Sequence, residues 1–265
     1  MTVSALRFPV AGEAMRATSA RPARYGMLRA VDRALVGSLF TVRADGLDAL
    51  PPAPFVLACN HHNGFDPFLV MAALPPDPAV TWFGPREDCS SSVGRALVRF
   101  VGCVIPFGRR GAGLRAALER VAGVLAAGGV VGIFPEGRIA FRETALQATN
   151  PGAAAFAAEH GVPVVPCAIV GSSALWAGRE ISVRFGPAIS PAGFREQGGQ
   201  ARLQRAIERG IGSLLPAEEP RLPRTPSPWL TDIFNGPEDA FRRRRTLTGW
   251  QDPVRWANPR GEAAA

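Results

Sequence analysis

An α/β fold, with a largely parallel mixed sheet flanked by helices, is what this sequence predicts. Three observations carry it. Apolar runs of strand length recur at Phe55–Cys59, Val130–Phe134 and Val164–Val170. Between such runs lie stretches with apolar residues at helical spacing, as at Leu114, Leu118, Val121 and Leu125. Gly and Pro cluster where one pattern gives way to the next, as at Pro75-Pro76 and Gly128-Gly129. Buried strands alternating with amphipathic helices build a layered sheet whose connections cross over on its faces.

Taken in order, residues 1–24 mix Arg, Pro, Ala and Ser and read as loosely ordered. Met27 to Val42 reads as a helix, with Leu28, Val31, Leu35, Leu39 and Val42 on one stripe and Val36 and Phe40 off it. The stripe fits packing against the helix's own domain, or a place in a membrane interface with arginines toward head groups. Strand Phe55–Cys59 leads to a helix over Pro67–Leu74, a strand at Val80–Phe83 and a helix over Ser91–Val101. A strand at Cys103–Phe107, the helix carrying Leu114 to Leu125 and the strand Val130–Phe134 follow. Gly152–His160 is a helix, Val164–Val170 and Ile181–Phe185 are strands, and Ala201–Leu215 is the last helix. Beyond it the prolines at 216, 220, 223, 226 and 228 break regular structure, and the run Arg242–Arg245 precedes Trp250 and Trp256. The organisation is therefore an N-terminal helical segment (1–44), an α/β domain (45–215) and an irregular tail (216–265). The tail reads as a wrapping or mobile segment, or as a membrane foot with arginines on phosphates and tryptophans at the interface.

All 30 basic residues are Arg and the net charge is +8. A coding bias toward Arg, Ala, Gly and Pro accounts for this as readily as attraction to phosphates or an anionic membrane. No nucleic-acid motif accompanies the charge. Cys59, Cys89, Cys103 and Cys167 lack C-x-x-C spacing and read as free thiols of a reducing compartment. No secretory leader and no transmembrane helix are expected: the longest uncharged run, Gly161 to Gly178, contains prolines and paired serines.

The chemistry-bearing residues sit at strand ends. Asn60-His61-His62-Asn63-Gly64-Phe65-Asp66 follows the strand Phe55–Cys59. Asp66-Pro67 opening an apolar helix is also what an N-cap with Pro at N1 looks like. Yet four residues between His61 and Asp66 let a short loop fold the carboxylate onto the imidazole. The carboxylate would then set the tautomer and leave the other ring nitrogen to take a proton from a hydroxyl. No G-x-S-x-G nucleophile elbow is present and no cysteine has an activating context, so the nucleophile would be a substrate alcohol. A zinc site is disfavoured by the cysteine spacing and the distance to His160, and no cofactor is called for. Phe134-Pro135-Glu136-Gly137-Arg138 ends another strand, and Gly102 to Arg109-Arg110 ends a third in a basic turn. A base, an acid and arginines at neighbouring strand ends suggest an alcohol that carries phosphate.

In these blocks the chain resembles the glycerolipid acyltransferases, the lysophosphatidate acyltransferase-like enzymes. Asn60-His61 to Asp66 resembles their N-H-x-x-x-x-D block, Gly102–Arg109 their second, Phe134–Arg138 their F-P-E-G block, and Val162–Pro166 with Ala168–Gly171 their fourth, in the family's order. The resemblance implies transfer of a fatty acyl group from acyl-CoA or acyl-carrier protein to a glycerolipid hydroxyl, at the cytoplasmic face of a membrane. It implies His61 as general base, Asp66 as its orienting partner and Arg109 as a phosphate contact. Glu136 and Gly137 would shape the acceptor site, and Arg138 would be a second phosphate contact. The sequence departs from the family in Asn63, where many members have Ser, in the choice between Arg109 and Arg110, and in F-P-E-G-R where F-P-E-G-T-R is common. Another lipid alcohol as acceptor, a thioesterase, or a lipid-binding protein without turnover are the competing readings.

Overall fold

A computed structural model describes residues 22–75, 77–85, 104–107, 112–140, 142–222, 225–227 and 229–230. The expected helix Ser91–Val101, Cys89, Cys103, Arg109, Arg110, Arg242–Arg245, Trp250 and Trp256 lie outside these residues.

The elements run α1 (Pro22–Leu39), β1 (Phe40–Asp45), β2 (Phe55–Cys59), α2 (Asp66–Ala73), β3 (Val80–Pro85) and β4 (Val104–Phe107). They continue with α3 (Ala112–Ala126), β5 (Val130–Ile133), α4 (Gly152–His160), β6 (Val164–Val170), β7 (Arg179–Phe185) and α5 (Gly199–Leu214), with 3-10 turns at Leu47–Ala49 and Pro191–Phe194. One sheet of seven strands has the order β1-β7-β6-β2-β5-β3-β4. Every neighbouring pair is parallel except β6 with β7. β2, β5 and β6 are buried throughout, which is why they read as continuous apolar runs. Two cores flank the sheet. Residues of α1 and α2 pack on one face, around Leu69, Met71 and Ile169. Residues of α3, α4 and α5 pack on the other, around Val121, Phe156 and Ile207.

The first helix corrects the sequence reading twice. It ends at Leu39, because Phe40 to Asp45 pairs with β7 as a strand, Phe40 being buried edge-on to Phe65. The sequence boundary at residue 44 therefore falls inside a strand of the sheet. The fully covered positions lie off the predicted stripe, at Val36, Phe40, Arg29 and Asp32, while Leu28, Leu39 and Val42 of the stripe are half-buried against the core. Met27, Val31 and Leu35 are exposed, at 57%, 60% and 49%. Their i, i+4, i+8 spacing places them on one outward face. Periodicity reports that a helix has an apolar side; it does not say which medium that side meets.

Arg29 holds its place beneath this helix by donating from Nη2 to the Leu74 carbonyl at the end of α2, 2.5 Å away. Its charge there opposes the partial negative charge of the helix end. Asp32, nearly as covered, is pushed up to about 7 by burial, against the pull of Arg29. A carboxyl that ionises at a higher pH folded than unfolded loses stability as pH rises, here between about 4 and 7, and the cost is complete above that window. Asp32→Asn abolishes the titration. Relative to wild type, the variant should gain up to about 4 kcal/mol between pH 4 and pH 8 in urea melts. Parallel curves for the two proteins across that range would contradict this.

The described residues after α5 pack on the fold. Arg184 of β7 closes the end of α5 by donating from Nη1 to the Leu214 carbonyl. Arg179 stacks on Trp176 and donates to the carbonyls of Gly171 and Arg221. Leu230 is buried in the core on the α1–α2 face. The described residues after α5 form a strap that joins no strand of the sheet and is tied by the Arg221 carbonyl and by the Ser227 N–H, which donates to the Leu175 carbonyl. Among the described residues, no helix is long and apolar enough to cross a membrane.

Candidate active site

Parallel pairing of β2 with β5 brings the residues after Cys59 and after Ile133 to the same sheet edge. That edge lies at the carboxyl ends of the strands, where α/β sheets bind ligands. The loop after β2 is held down on both sides. Asn60 accepts from the Ile169 N–H and donates to the Ile169 carbonyl on β6. His61 donates its backbone N–H to Glu136 Oε1 at 2.9 Å, and Ala140 donates its own to the His61 carbonyl at 2.7 Å.

Within the loop, Asn63 turns the chain by accepting the Phe65 N–H on Oδ1, while the Asp66 N–H donates to its carbonyl. This is a local Asx turn, a use for the side chain that replaces the common Ser. The turn delivers Asp66 to the first position of α2. Its carboxylate does not cap that helix. It points back into the loop, where Oδ2 accepts from His62 N at 2.6 Å, Asn63 N at 2.8 Å and His61 Nδ1 at 2.9 Å. The N-cap reading fails because the loop's own N–H groups converge on the carboxylate before the helix's can reach it. Burial is complete at Asp66 and by itself would push the carboxyl up. The His61 hydrogen bond, the electrostatic influence of His61 and His62 and the Asn63 N–H outweigh it, so the carboxyl lies below its ordinary value.

An ionised carboxylate only accepts, so His61 carries its hydrogen on Nδ1 and presents Nε2 as a base. No bond to Nε2 is formed among the described residues, and the side chain keeps 16% exposure. The ring plane is set by stacking. Phe134 lies against the His61 imidazole with centroids 4.1 Å apart, and Trp82 lies on the far side of Phe134 at 4.9 Å and 6°. The Trp82 ring rests over β5 only because residue 132 is glycine: a Cβ there would come within 2.6 Å of the indole. Gly132→Ala should therefore lower stability by about 1–3 kcal/mol through overpacking. It should also lower turnover more than it weakens substrate binding, since the ring stack would shift while the chemical groups remain. Thermal melts and a kcat-against-KM comparison check it, and unchanged kcat would show that the stack does not orient His61.

Glu136 is buried, with Oε1 on the His61 N–H and Oε2 on the Gln147 N–H at 3.0 Å. Burial raises its pKa, opposed by His62 and by the two N–H groups. Both carboxyl oxygens are thus occupied in bracing the base. Gly137 has φ +61°, and a Cβ there would stand 2.8 Å from Asn150 Nδ2, so the turn demands glycine. Arg138 follows on the same turn, half-buried. Arg109 lies outside the described residues.

Sequence reasoning missed several supports. His62 is buried, with Nε2 accepting from Asn60 Nδ2 at 2.8 Å and Nδ1 donating to the Ala140 carbonyl at 3.2 Å. Asn60's own bonds to Ile169 set that tautomer. Glu143, fully buried, accepts the N–H groups of Gly171 and Ser173. Glu219 reaches back from the strap to accept from Glu143 N and Thr144 Oγ1. Apart from the Asn60–His62 bond, these contacts join residues far apart in the chain, so no short motif announces them.

A buried carboxylate hydrogen-bonded to a histidine at the end of a parallel strand is an arrangement able to take a proton from a bound group. Residues 41–170 match the family model described as Acyltransferase, which supports an acyltransferase enzyme. The resemblance to the glycerolipid acyltransferases stands with it. Among solved structures, the chain is similar to the 1-acyl-sn-glycerophosphate (LPA) acyltransferase PlsC from Thermotoga maritima, with TM-score 0.53 and 18% identity over 73% of this chain and 79% of that one. That likeness shows a shared fold. No curated protein matches the sequence significantly.

Proposed function

We propose that the protein transfers a fatty acyl group from an acyl thioester, acyl-CoA or acyl-carrier protein, to the hydroxyl of a lysophospholipid, with lysophosphatidate as acceptor. The observation that carries this reading is the hydrogen bond from His61 Nδ1 to the buried Asp66 carboxylate, which leaves Nε2 as an oriented base. In the proposed reaction, Nε2 takes the acceptor's hydroxyl proton as its oxygen attacks the thioester carbonyl. The tetrahedral intermediate collapses, the C–S bond breaks, and the imidazolium returns the proton to the departing sulfur. Asp66 stabilises the transient imidazolium without itself taking the proton. Arg109 and Arg138 are assigned to the acceptor's phosphate, on the family resemblance and on the fit of guanidinium to phosphate. The similar fold of an LPA acyltransferase supports the choice of acceptor.

The acceptor lives in a bilayer, and the outward face of α1 supports docking there. Met27, Val31 and Leu35 present apolar side chains to solvent while the charged Arg29 and Asp32 are turned inward. The membrane face we assign is the cytoplasmic one, with the protein bound peripherally. Val31→Asp with Leu35→Asp should reduce co-sedimentation with vesicles of anionic phospholipid about 10-fold or more, with little change in melting temperature, because both side chains are exposed. Equal binding by the variant would remove α1 from the docking surface.

The reaction is tested by thiol release from a long-chain acyl-CoA by purified protein, with and without lysophosphatidate, and by the mass of the lipid product. Acceptor-dependent release with a diacyl product supports the reading. Release without acceptor is thioesterase behaviour and sinks it.

A further inference from the structure

The acyl donor, unlike the acceptor, is water-soluble, and it needs a seat that the motif blocks do not supply. On the sheet face opposite α1 and α2, a cleft of about 390 Å³ opens between α5 and the loop that precedes α4. This is within the usual range for small-molecule sites, roughly 300–1,000 Å³. We propose that it holds the nucleotide end of an acyl-CoA, the adenosine 3′,5′-bisphosphate moiety and its pyrophosphate. The assignment rests on the acyltransferase reading above.

The lining has the chemistry such a group requires. Leu146 and Phe194 supply apolar wall, and Phe194 is an aromatic face for a purine. Arg202, Arg205 and Arg209 stand along one side of α5 at i, i+3 and i+7 and line the same cleft. Arg205 and Arg209 are exposed and form no ion pair among the described residues. Like charges four residues apart on a helix repel each other, and an anion held between them relieves that repulsion. Guanidinium forks suit phosphate oxygens, which accept two parallel hydrogen bonds from one side chain. Arg202 is steadied by Glu196, Nη2 to Oε1 at 2.5 Å, so it stands ready at the rim. Glu208, the carboxylate among the lining residues, is already engaged: its Oε1 accepts from Thr149 Oγ1, which in turn accepts from Gln204.

One residue of the cleft wall is hydrogen-bonded into the support of the site. Gln147 lines the cleft, and the Gln147 N–H binds Glu136 Oε2, whose Oε1 binds the His61 N–H. One residue of the cleft wall is thus two hydrogen bonds from the base. A nucleotide seated on α5 directs its pantetheine arm past that wall toward Nε2, while the lipid acceptor approaches from the α1 face. The two substrates enter from opposite sides of the sheet, one from water and one from the bilayer.

Arg205→Glu with Arg209→Glu tests this, with Arg205→Gln and Arg209→Gln as a milder pair should the reversal disturb folding in thermal melts. The expected result is a KM for acyl-CoA raised about 10- to 100-fold, the loss typical of charged hydrogen bonds. The kcat, the KM for acceptor and the turnover of an acyl-pantetheine lacking the nucleotide should be unchanged. Calorimetry with adenosine 3′,5′-bisphosphate alone should show binding by wild type and its loss in the variant. An unchanged KM for acyl-CoA, an equal effect on the acyl-pantetheine, or turnover confined to acyl-carrier-protein thioesters would each overturn the assignment. Binding of the bisphosphate by a wild-type protein that turns over no thioester would keep the site and discard the acyltransferase mechanism; turnover of acyl-CoA without such binding would do the reverse.

Discussion

His61→Ala should reduce acceptor-dependent thiol release from acyl-CoA by about 10²–10⁴-fold, the usual contribution of a positioned general base. The melting temperature should fall modestly, because the buried Asp66 Oδ2 loses the Nδ1 donor but keeps the N–H groups of His62 and Asn63. The imidazole is partly exposed and lies over Phe134, and the bonds that shape its loop are made by backbone groups: its N–H to Glu136 and its carbonyl from Ala140. Alanine keeps both. A loss of activity far larger than this modest loss of stability separates a chemical role from a structural one. Full activity in the alanine variant would show that Nε2 is not the base and that the acceptor hydroxyl is activated elsewhere.

Asp66→Asn should lose both activity and stability. The isosteric amide can keep one oxygen on the loop N–H groups, but it removes the charge that holds the His61 tautomer and that would stabilise an imidazolium. The loss in kcat should be about 10³–10⁴-fold, as for a comparable Asp-to-Asn change in a triad. The stability loss should be about 1–3 kcal/mol, since at least one of the three donors converging on Oδ2 loses its acceptor inside the protein. The pH dependence has a definite sign. The folded carboxyl sits below its ordinary value, so its contribution to stability is complete above the unfolded pKa, near 4, and is lost as pH falls through the lower folded value. Wild type should therefore lose its advantage over the asparagine variant in strongly acidic buffer and keep it at neutral pH. An advantage that is constant down to the acid limit would mean that Asp66 is not ionised in the folded protein.

The two variants together divide the site. His61 makes side-chain contacts chiefly with Phe134 and Asp66, whereas Asp66 is the centre of the loop's hydrogen bonding. If both behave as stated, the loop between β2 and α2 is a rigid mount and His61 its replaceable working group.

Much of this was legible in the chain. The apolar runs that became β2, β5 and β6 are buried on both faces, and a strand with no solvated side must be apolar at every position; the helix Gly152–His160 stops at Gly161, whose left-handed backbone ends it. The proximity of His61 and Asp66 was legible because it is local: a loop of four residues has few ways to close, and Asn63 favours one of them. What the sequence could not decide depends on elements far apart in the chain. That α1 turns Val31 and Leu35 outward and Arg29 inward is decided by where the end of α2 offers a carbonyl, 45 residues away. That Glu136 braces the His61 N–H, 75 residues distant, follows from β2 and β5 being neighbours in the sheet, a pairing no periodicity encodes. The strap after α5 carries no pattern of its own and takes its path from the Glu143 N–H and the Arg179 guanidinium, donors that other segments hold out to its Glu219 carboxylate and Arg221 carbonyl. Short-range sterics and burial are written residue by residue, so sequence alone determined the elements and the loop that joins the imidazole to its carboxylate. Long-range hydrogen bonds are satisfied only once the layers are stacked, so the tertiary structure alone decided what holds that loop still and which faces are left to meet a partner.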